Sequence, residues 1–304
     1  MATSAVSDPV VRTSEPSRLG LRSRLRDLWT WRELLGNLIR REIKGKYKTS
    51  VLGAAWSMLN PLLYLAVFSL VFNVVLNRGM PNFPVYLLSG LLAWNLFSNS
   101  VSQAARSVVD NSSLVTKAYF PSEVLPLASI GSTLFDFALQ AVVLVAFMVV
   151  TQVGVLGWNL LLLPLSLFAL LAFTSALALF VAAANIRYRD VQHLLAIALL
   201  TWFWMTPIVY QSGFVYTELG ERELFGISVY HLYLANPMTA IVSGFHRSLY
   251  GTVAPAGPEN PVLLPVSVPW LAMVIGAVAV GSLILLVLTW TYFYRRSGDF
   301  AEEL

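Results

Sequence analysis

The sequence has 304 residues, of which 57% are hydrophobic and only 12% are charged. Soluble domains carry about 25% charged residues, so this composition excludes an ordinary soluble domain and indicates an integral membrane protein. The chain contains no cysteine, which excludes a disulfide framework, a cysteine nucleophile and a thiolate metal site. Its three histidines, His193, His231 and His246, lie far apart in the sequence, and we predict no metal site.

The first fifty residues are strongly basic. Eleven of the 20 Lys and Arg residues precede residue 50. A basic arm can bind nucleic acid or an anionic membrane surface, and the apolar chain that follows favours the membrane. We assign residues 1–28 to a basic cytoplasmic arm and expect no nucleic-acid partner.

Residues 29–50 predict an amphipathic helix in the cytoplasmic headgroup layer. Its apolar residues recur at helical spacing: Trp31, Leu34, Leu35, Leu38 and Ile39. Its second half carries a basic cluster made of Arg40, Arg41, Lys44, Lys46 and Lys48. Anionic headgroups attract each such residue by about 1 kcal/mol, and arginine binds phosphate oxygens with paired hydrogen bonds. The cluster therefore serves either general headgroup contact or binding of a specific lipid phosphate.

Six apolar stretches follow, and each approaches the roughly 20 residues that a spanning helix needs. The predicted spans are about 52–76, 84–106, 124–150, 160–185, 191–211 and 269–294, within a transmembrane domain of residues 51–296. With a cytoplasmic N-terminus, only Arg78, Arg222 and Arg247 lie outside, and the other 17 of the 20 basic residues lie inside. The apolar stretches predict an all-α membrane protein. The positive-inside rule predicts that both of its ends, including the tail 297–304, lie in the cytoplasm.

The outer segment between the fifth and sixth spans is long and is interrupted by glycine and proline. Asn236-Pro237 predicts a helix start, and Met238 to Leu249 continue at helical spacing. Short broken helices at membrane depth are tolerated where protein surrounds them. We expect re-entrant or interfacial gate helices here, with an ordinary outer loop as the alternative.

The chain carries no nucleotide-binding motif. The phosphate-binding pattern G-x-x-x-x-G-K-[ST] is missing, since Gly45-Lys46 is followed by Tyr47. We therefore expect no enzymatic activity and no cofactor in this chain. ATP and Mg²⁺ would be bound by another subunit.

Several segments in series resemble ABC-2 type permeases that export polysaccharides. They are REIKGKYKTSVLG at 41–53, WSMLNPL at 56–62, YLLSGLLAWN at 86–95, NSSLVTKAYFPSEVLP at 111–126 and NPMT at 236–239. The resemblance implies a homodimer in the bacterial cytoplasmic membrane that binds two copies of an ATPase subunit. It also implies export of a glycan carried on a polyprenyl pyrophosphate, such as O-antigen, teichoic acid or galactan.

Two inner loops are candidates for coupling to an ATPase. In the first, the resemblance implies a coupling helix around Lys117, Ala118, Tyr119, Phe120 and Pro121, whose aromatic pair suits docking into a partner groove. In the second, Arg187 and Arg189 are weaker candidates. The alternatives are a solvated loop for the first and simple topology-setting charge for the second.

Aromatic residues recur in the first and fifth predicted spans. Those predicted to line a glycan channel are Tyr64, Phe68, Phe72, Trp202, Trp204 and Tyr210. Aromatic faces stack on sugars as they do on nucleic-acid bases, although lipid-facing or packing roles are the alternative. Asp136, alone in its apolar stretch, has either a structural role or a proton-relay role.

Other functions remain open at this point. A drug or lipid permease of the same family would not need the basic amphipathic helix or the long outer segment. A secondary transporter, independent of ATP, usually shows several intramembrane charges and an internal repeat. A membrane enzyme acting on polyprenyl lipids would need clustered Asp, Glu or His.

Overall fold

The chain folds almost entirely into helices, as expected for an all-α protein. The computed structural model describes residues 21–48, 50, 53, 55–71, 80–118, 120–150, 152, 157–219, 222–224, 227–251 and 262–304. Within these residues the strands are two short segments, β1 (Glu223–Leu224) and β2 (Ile227–Ser228), which pair antiparallel.

Six helices occupy the apolar stretches. They are α3 (Ala55–Ser69), α4 (Phe83–Ser107), α6 (Val124–Val150), α7 (Leu162–Arg187, preceded by a 3₁₀ turn at Trp158–Leu161), α8 (Val191–Met205) and α12 (Val268–Arg296). By length and composition, α6, α7 with its 3₁₀ turn, and α12 are able to cross a membrane. Helices α3 and α8 are shorter and apolar, whereas α4 is long but carries Asn and Gln side chains. The count of six spans stays a prediction.

The N-terminal region forms two helices, α1 (Leu21–Thr30) and α2 (Arg32–Tyr47). Helix α2 lies within the predicted amphipathic segment 29–50, and α1 is an additional helix that begins within the predicted arm of residues 1–28. The two helices are separated at Trp31, whose backbone (φ −91°, ψ 13°) leaves the helical range. Helix α2 packs closely on α6. A Cβ added at Gly131 would lie 2.4 Å from Ile39 Cδ1, so a larger residue there would force the Ile39 side chain to move.

Helix α4 forms the centre of the main core, and most of its residues from Phe83 to Ser107 are buried. It packs against α6, α7, α8 and the outer helix α11 (Pro237–Leu249). Aromatic rings fill this core: Phe97 stacks on Phe173 at 5.6 Å and meets Trp202 edge-on at 5.3 Å. Such pairs stabilise a core beyond their buried area.

A second core, here called the inner cluster, lies at the predicted cytoplasmic end. It contains side chains from α1, α2, α6, α7, α12 and the C-terminal residues, including Leu38, Val124, Ile186, Phe293 and Phe300. Helix α13 (Phe300–Glu303) packs against α5 (Ser112–Lys117) beside this cluster.

The outer segment between α8 and α12 contains α9 (Ser212–Leu219), the β1–β2 pair, α10 (Val229–Leu234) and α11. As predicted, α11 begins at Pro237: the side chain of Asn236 accepts a hydrogen bond from the Met238 N–H at 3.0 Å and caps the helix. Residues Met238 to His246 are buried throughout. The α11 part of this segment is therefore packed in protein and is not an ordinary solvent loop.

Candidate coupling face and inner groove

The first inner loop presents one side to the inner cluster and the other side to solvent. A 3₁₀ turn (Val109–Asn111) leads into α5. Leu114, Val115 and Phe120 pack against the inner cluster, while Lys117 and Ala118 are exposed. Pro121 is half-buried, and Tyr119 lies outside the described residues. The loop therefore offers a charged edge held on an apolar base.

The second inner loop lies at the same end of the molecule. Arg187, Tyr188 and Arg189 are exposed, and the Arg187 guanidinium lies 5.5 Å from the Tyr188 ring centre. The preceding Ile186 belongs to the inner cluster that also holds the first loop. The structure thus gathers both predicted coupling loops around one apolar base, which we call the coupling face.

Helices α1 and α12 add contacts beside this face that spacing in the sequence does not reveal. Glu123 is 5% exposed and accepts a hydrogen bond from Trp290 Nε1 at 3.4 Å. Burial raises the pKa of the Glu123 carboxyl. The Arg24 guanidinium lies 4.1 Å over the Tyr294 ring, within the range of a cation–π contact. Helix α12 therefore holds the residue that precedes α6, and α1 in turn contacts α12.

A polar groove of about 660 Å³ opens between α2, α4 and α6. We call it the inner groove. Its lining residues are Arg41, Glu42, Lys46, Gln103, Arg106, Ser107, Asp110, Asn111, Ser129 and Ser132. Arg41 donates to the Asn111 side chain, so α2 is tied to the turn that precedes α5. Three cations and two carboxylates therefore surround this polar space.

The basic cluster at the end of α2 is exposed at all five positions. Two of its members, Arg41 and Lys46, also line the inner groove. Lys46 forms an ion pair with Asp136. Spacing in the sequence does not reveal this pair, because ninety positions separate the two residues. The binding of a lipid phosphate by the cluster stays a prediction.

Asp136 is 4% exposed and anchors the end of α2. Besides Lys46, it accepts a hydrogen bond from the Tyr47 hydroxyl. Burial raises the pKa of Tyr47 to about 12, so this phenol remains a donor at neutral pH. These contacts are consistent with a structural role of Asp136, which is one of the two roles that the sequence allows.

Glu42 attaches α2 to α6 one turn earlier. Its carboxylate accepts hydrogen bonds from Ser132 Oγ at 2.9 Å and Ser129 Oγ at 3.4 Å. Burial raises the pKa of Glu42, and the two serine donors lower it in part. The acidic side chain is therefore held by neutral hydroxyl groups, while Arg41 beside it turns to Asn111.

The predicted channel aromatics have different surroundings. Tyr64 is exposed and stacks on Phe68 at 6.2 Å, and Trp204 is 57% exposed. Trp202 is packed in the main core, where its Nε1 donates to Asn236 Oδ1 at 2.8 Å. Tyr210 is half-buried, and Phe72 lies outside the described residues. Tyr64 and Trp204 are thus available at the surface, whereas Trp202 supports the cap of α11. Their channel role stays a prediction.

Comparisons with known proteins agree with the motifs. The sequence model of a family described as ABC-2 type transporter matches residues 33–250, a range that ends just beyond α11. An O-antigen export system permease protein of Myxococcus xanthus is 34% identical over 281 residues, which is 92% of this chain and 98% of that protein. One from Klebsiella pneumoniae is 29% identical over 186 residues, covering 60% and 71%. A polysialic acid transport protein of Escherichia coli is 27% identical over 137 residues, covering 41% and 52%.

Proposed function

The chain belongs to the ABC-2 type transporter family, and we propose that it is the permease subunit of an ATP-driven exporter of a polyprenyl-pyrophosphate-linked polysaccharide. The observation that carries this proposal is the similarity to an O-antigen export permease over 98% of that protein's length. The similarity to a polysialic acid transport protein adds a second glycan as cargo of a relative. Proteins of these names are transport permeases, which agrees with the expectation that this chain is not itself an enzyme.

We propose that a separate ATPase subunit docks on the coupling face. Lys117, Ala118, Phe120 and Pro121 from the first loop, and Arg187 and Arg189 from the second, surround one apolar base. Tyr119 belongs to the same proposed surface by its place in the sequence. Rigid support is what a docking loop needs to transmit a motion, and the inner cluster supplies it. The ATPase would bind ATP and Mg²⁺.

The proposed assembly is a homodimer with two ATPase subunits in the bacterial cytoplasmic membrane. Six spans would place both chain ends in the cytoplasm. Exposed apolar side chains on α3 and α8, such as Val67, Ile197 and Leu200, supply surfaces for lipid and for the second copy. Tyr64, Phe68 and Trp204 would then face the conduit, and the basic cluster would receive the headgroups.

A binding experiment tests the docking proposal. The chain is expressed with its ATPase, the complex is purified in detergent, and the ATPase retained per permease is measured. The double variant Lys117→Glu with Arg187→Glu reverses two exposed charges on the coupling face without touching the core. We expect most of the ATPase to be lost, because like charges replace complementary ones.

The control changes an equally exposed residue at the opposite end. Trp158 is 88% exposed in the turn before α7, and Trp158→Ala should retain the ATPase fully. Equal retention by the coupling-face variant and the control would contradict docking at this face.

A further inference from the structure

A polar stripe runs along one face of α6. Its members are spaced three or four residues apart and so share a face: Ser129, Ser132, Asp136 and Gln140. The first three are between 2% and 6% exposed, in a helix that is otherwise largely apolar. Polar groups in a spanning helix are costly to bury and usually line a functional path.

A matching stripe lies on α4. It comprises Asn95, Asn99, Gln103 and Arg106. The two helices run antiparallel, because Asn95 Nδ2 donates to Gln140 Oε1 at 3.1 Å while Ser132 Oγ lies 3.4 Å from Gln103 Oε1. The stripes therefore face each other over about two turns, with Asn99 exposed between the two contacts, and form a polar track between α4 and α6.

The inner groove opens onto one end of this track. Gln103, Arg106 and Ser132 belong to both. At the other end, Gln140 lines a small cavity together with Met58, Pro61 and Leu88, which places it against α3. The track therefore leads from the cytoplasmic groove towards the first and second predicted spans.

Lys46 and Tyr47 of α2 contact Asp136 and close the track between the inner groove and Gln140. Asp136 lies one turn beyond Ser132 and one turn before Gln140. Lys46 and Tyr47 both contact its carboxylate, and the Tyr47 ring lies 6.5 Å from the Phe135 ring. We call Lys46, Tyr47 and Asp136 the latch.

Helix α2 is held in a way that allows the latch to open on its own. Its first half is fixed by apolar packing, since Leu34, Leu35 and Leu38 belong to or pack on the inner cluster. Its second half is held by the polar contacts of Glu42, Lys46 and Tyr47, together with the ring contact of Tyr47 with Phe135. The chain then turns at Gly53, whose φ of +50° suits glycine. The end of α2 can therefore separate from α6 while its beginning stays in place.

We propose that the α4–α6 track accepts the anionic phosphate headgroup of a lipid from the inner groove, and that release of Asp136 by Lys46 and Tyr47 opens it. Lys46 would exchange the carboxylate for a phosphate oxygen, so its charge stays paired. Hydroxyl groups of the attached sugar would donate to Asp136 in place of Tyr47. Asp136 is then a positioning residue for transport. The identity of the lipid rests on the proposed function, whereas the track and latch rest on the contacts described above.

Thiol labelling tests the latch, because the chain has no native cysteine. Single cysteines replace Ser132 before the latch and Gln140 beyond it, and a charged reagent that does not cross membranes is added to inside-out vesicles. Ser132→Cys lines the inner groove and should react faster than Gln140→Cys. Gln140→Cys should react at least about tenfold more slowly, equivalent to about 1.4 kcal/mol. Combining it with Asp136→Asn should raise its labelling rate by about the same factor.

Two controls accompany these variants. Ser113→Cys lies on exposed α5 and reports that the cytoplasmic side faces the reagent. Val145→Cys lies on an exposed apolar part of α6 and should remain unreactive with or without Asp136→Asn. The proposal would be overturned if Gln140→Cys were labelled as fast as Ser132→Cys with the latch intact. It would also be overturned if Asp136→Asn did not raise the labelling rate of Gln140→Cys.

Protection of Ser132→Cys identifies the ligand. Farnesyl pyrophosphate and inorganic pyrophosphate are compared at equal phosphate concentration. Protection by farnesyl pyrophosphate alone is expected. Protection by both, or by neither, would overturn a lipid headgroup as the ligand. ATPase retention is measured on the same preparations, so failure of the proposed function and failure of the track are distinguished.

Discussion

Two side chains of α2 share one buried carboxylate, and this makes Asp136 the most constrained charge described in the spanning helices. Lys46 contributes charge and Tyr47 contributes a hydroxyl donor. A buried carboxylate that loses a partner bears a large desolvation cost. Each partner of Asp136 is therefore open to a separate stability test.

Tyr47→Phe should lower the free energy of unfolding by about 1.5–3 kcal/mol, the usual value of a hydrogen bond to a charged group. The pKa of Tyr47 is raised to about 12. Its stabilising contribution is therefore complete below the unfolded pKa of 10.0 and is lost only as the pH rises through about 12. Thermal unfolding in detergent should show the same deficit at about pH 6 and about pH 9.

Tyr188→Phe is the matched control, since Tyr188 is 61% exposed and should be neutral. A Tyr47→Phe deficit that vanishes between about pH 6 and about pH 9 would contradict the account.

Glu123→Gln should stabilise the protein at neutral pH. Burial raises the pKa of Glu123 above 4.5, so folding favours its protonated form. The ionised carboxylate therefore costs stability above the folded pKa, and this cost disappears as the pH falls towards 4.5. Glutamine keeps an acceptor for Trp290 and removes the charge. Unfolding measured from about pH 8 downwards should show a gain that shrinks with acidity, and a gain that grows would refute the assignment.

Single residues show what sequence reasoning reaches and what it misses. Asp136 stands out in the sequence as the one charge of an apolar stretch, but its partners are remote along the chain and only packing brings them together. Trp202 looks like a channel aromatic in the sequence, yet it packs on Phe97 and hydrogen-bonds to Asn236. An apolar aromatic in a span has the same sequence pattern whether it packs, faces lipid or lines a conduit.

At the scale of elements, α11 shows a local signal that suffices. Asparagine before proline supplies the cap and the pre-set backbone angle of the first turn, and α11 begins at Pro237. By contrast, α1 precedes an irregular turn at Trp31 that no proline or glycine marks. Strong start signals are therefore readable from local sequence, while this interruption is not.

Asn236→Ala should destabilise the protein by about 1–3 kcal/mol, since it removes the cap of α11 and leaves Trp202 Nε1 without its buried acceptor. Asn236→Ser retains a capping oxygen but does not reach Trp202. It should recover only part of the loss. Thermal unfolding of the two variants measures the difference, and equal stability of Asn236→Ala and wild type would contradict the described contacts.

The first half of α2 should remain on α6 during transport, and a cross-link tests this. A Cβ at Gly131 lies 2.8 Å from Ile39 Cγ1, which brings the two Cβ atoms into the range of about 3.5–4.5 Å that a disulfide needs. Ile39→Cys with Gly131→Cys should form a disulfide readily on mild oxidation. Export should continue in the oxidised protein at a rate within about twofold of the reduced protein, a change below 1 kcal/mol.

Gel mobility under non-reducing conditions reports the cross-link, and reductant restores the uncross-linked control in the same sample. Loss of export on oxidation, with recovery on reduction, would show that the first half of α2 also moves.

At the scale of the whole molecule, the main core and the inner cluster hold different elements. The main core around α4 holds the apolar helices and α11, and the inner cluster holds both predicted coupling loops together with α1 and the C-terminal residues. Composition and apolar length identify the helices, since membrane thickness sets a minimum length. They do not reveal which helices touch, and the inner groove exists only through the contact of α2 with α4 and α6.

The most direct test of the central claim is ATP-dependent glycan translocation in vesicles reconstituted with the purified permease and its ATPase. The appearance of lipid-linked polysaccharide on the far side of the membrane is measured with ATP, with a non-hydrolysable analogue, and with the permease alone. The account predicts translocation only with ATP and both subunits. Translocation by the permease alone, or equal translocation with the analogue, would contradict an ATP-driven permease.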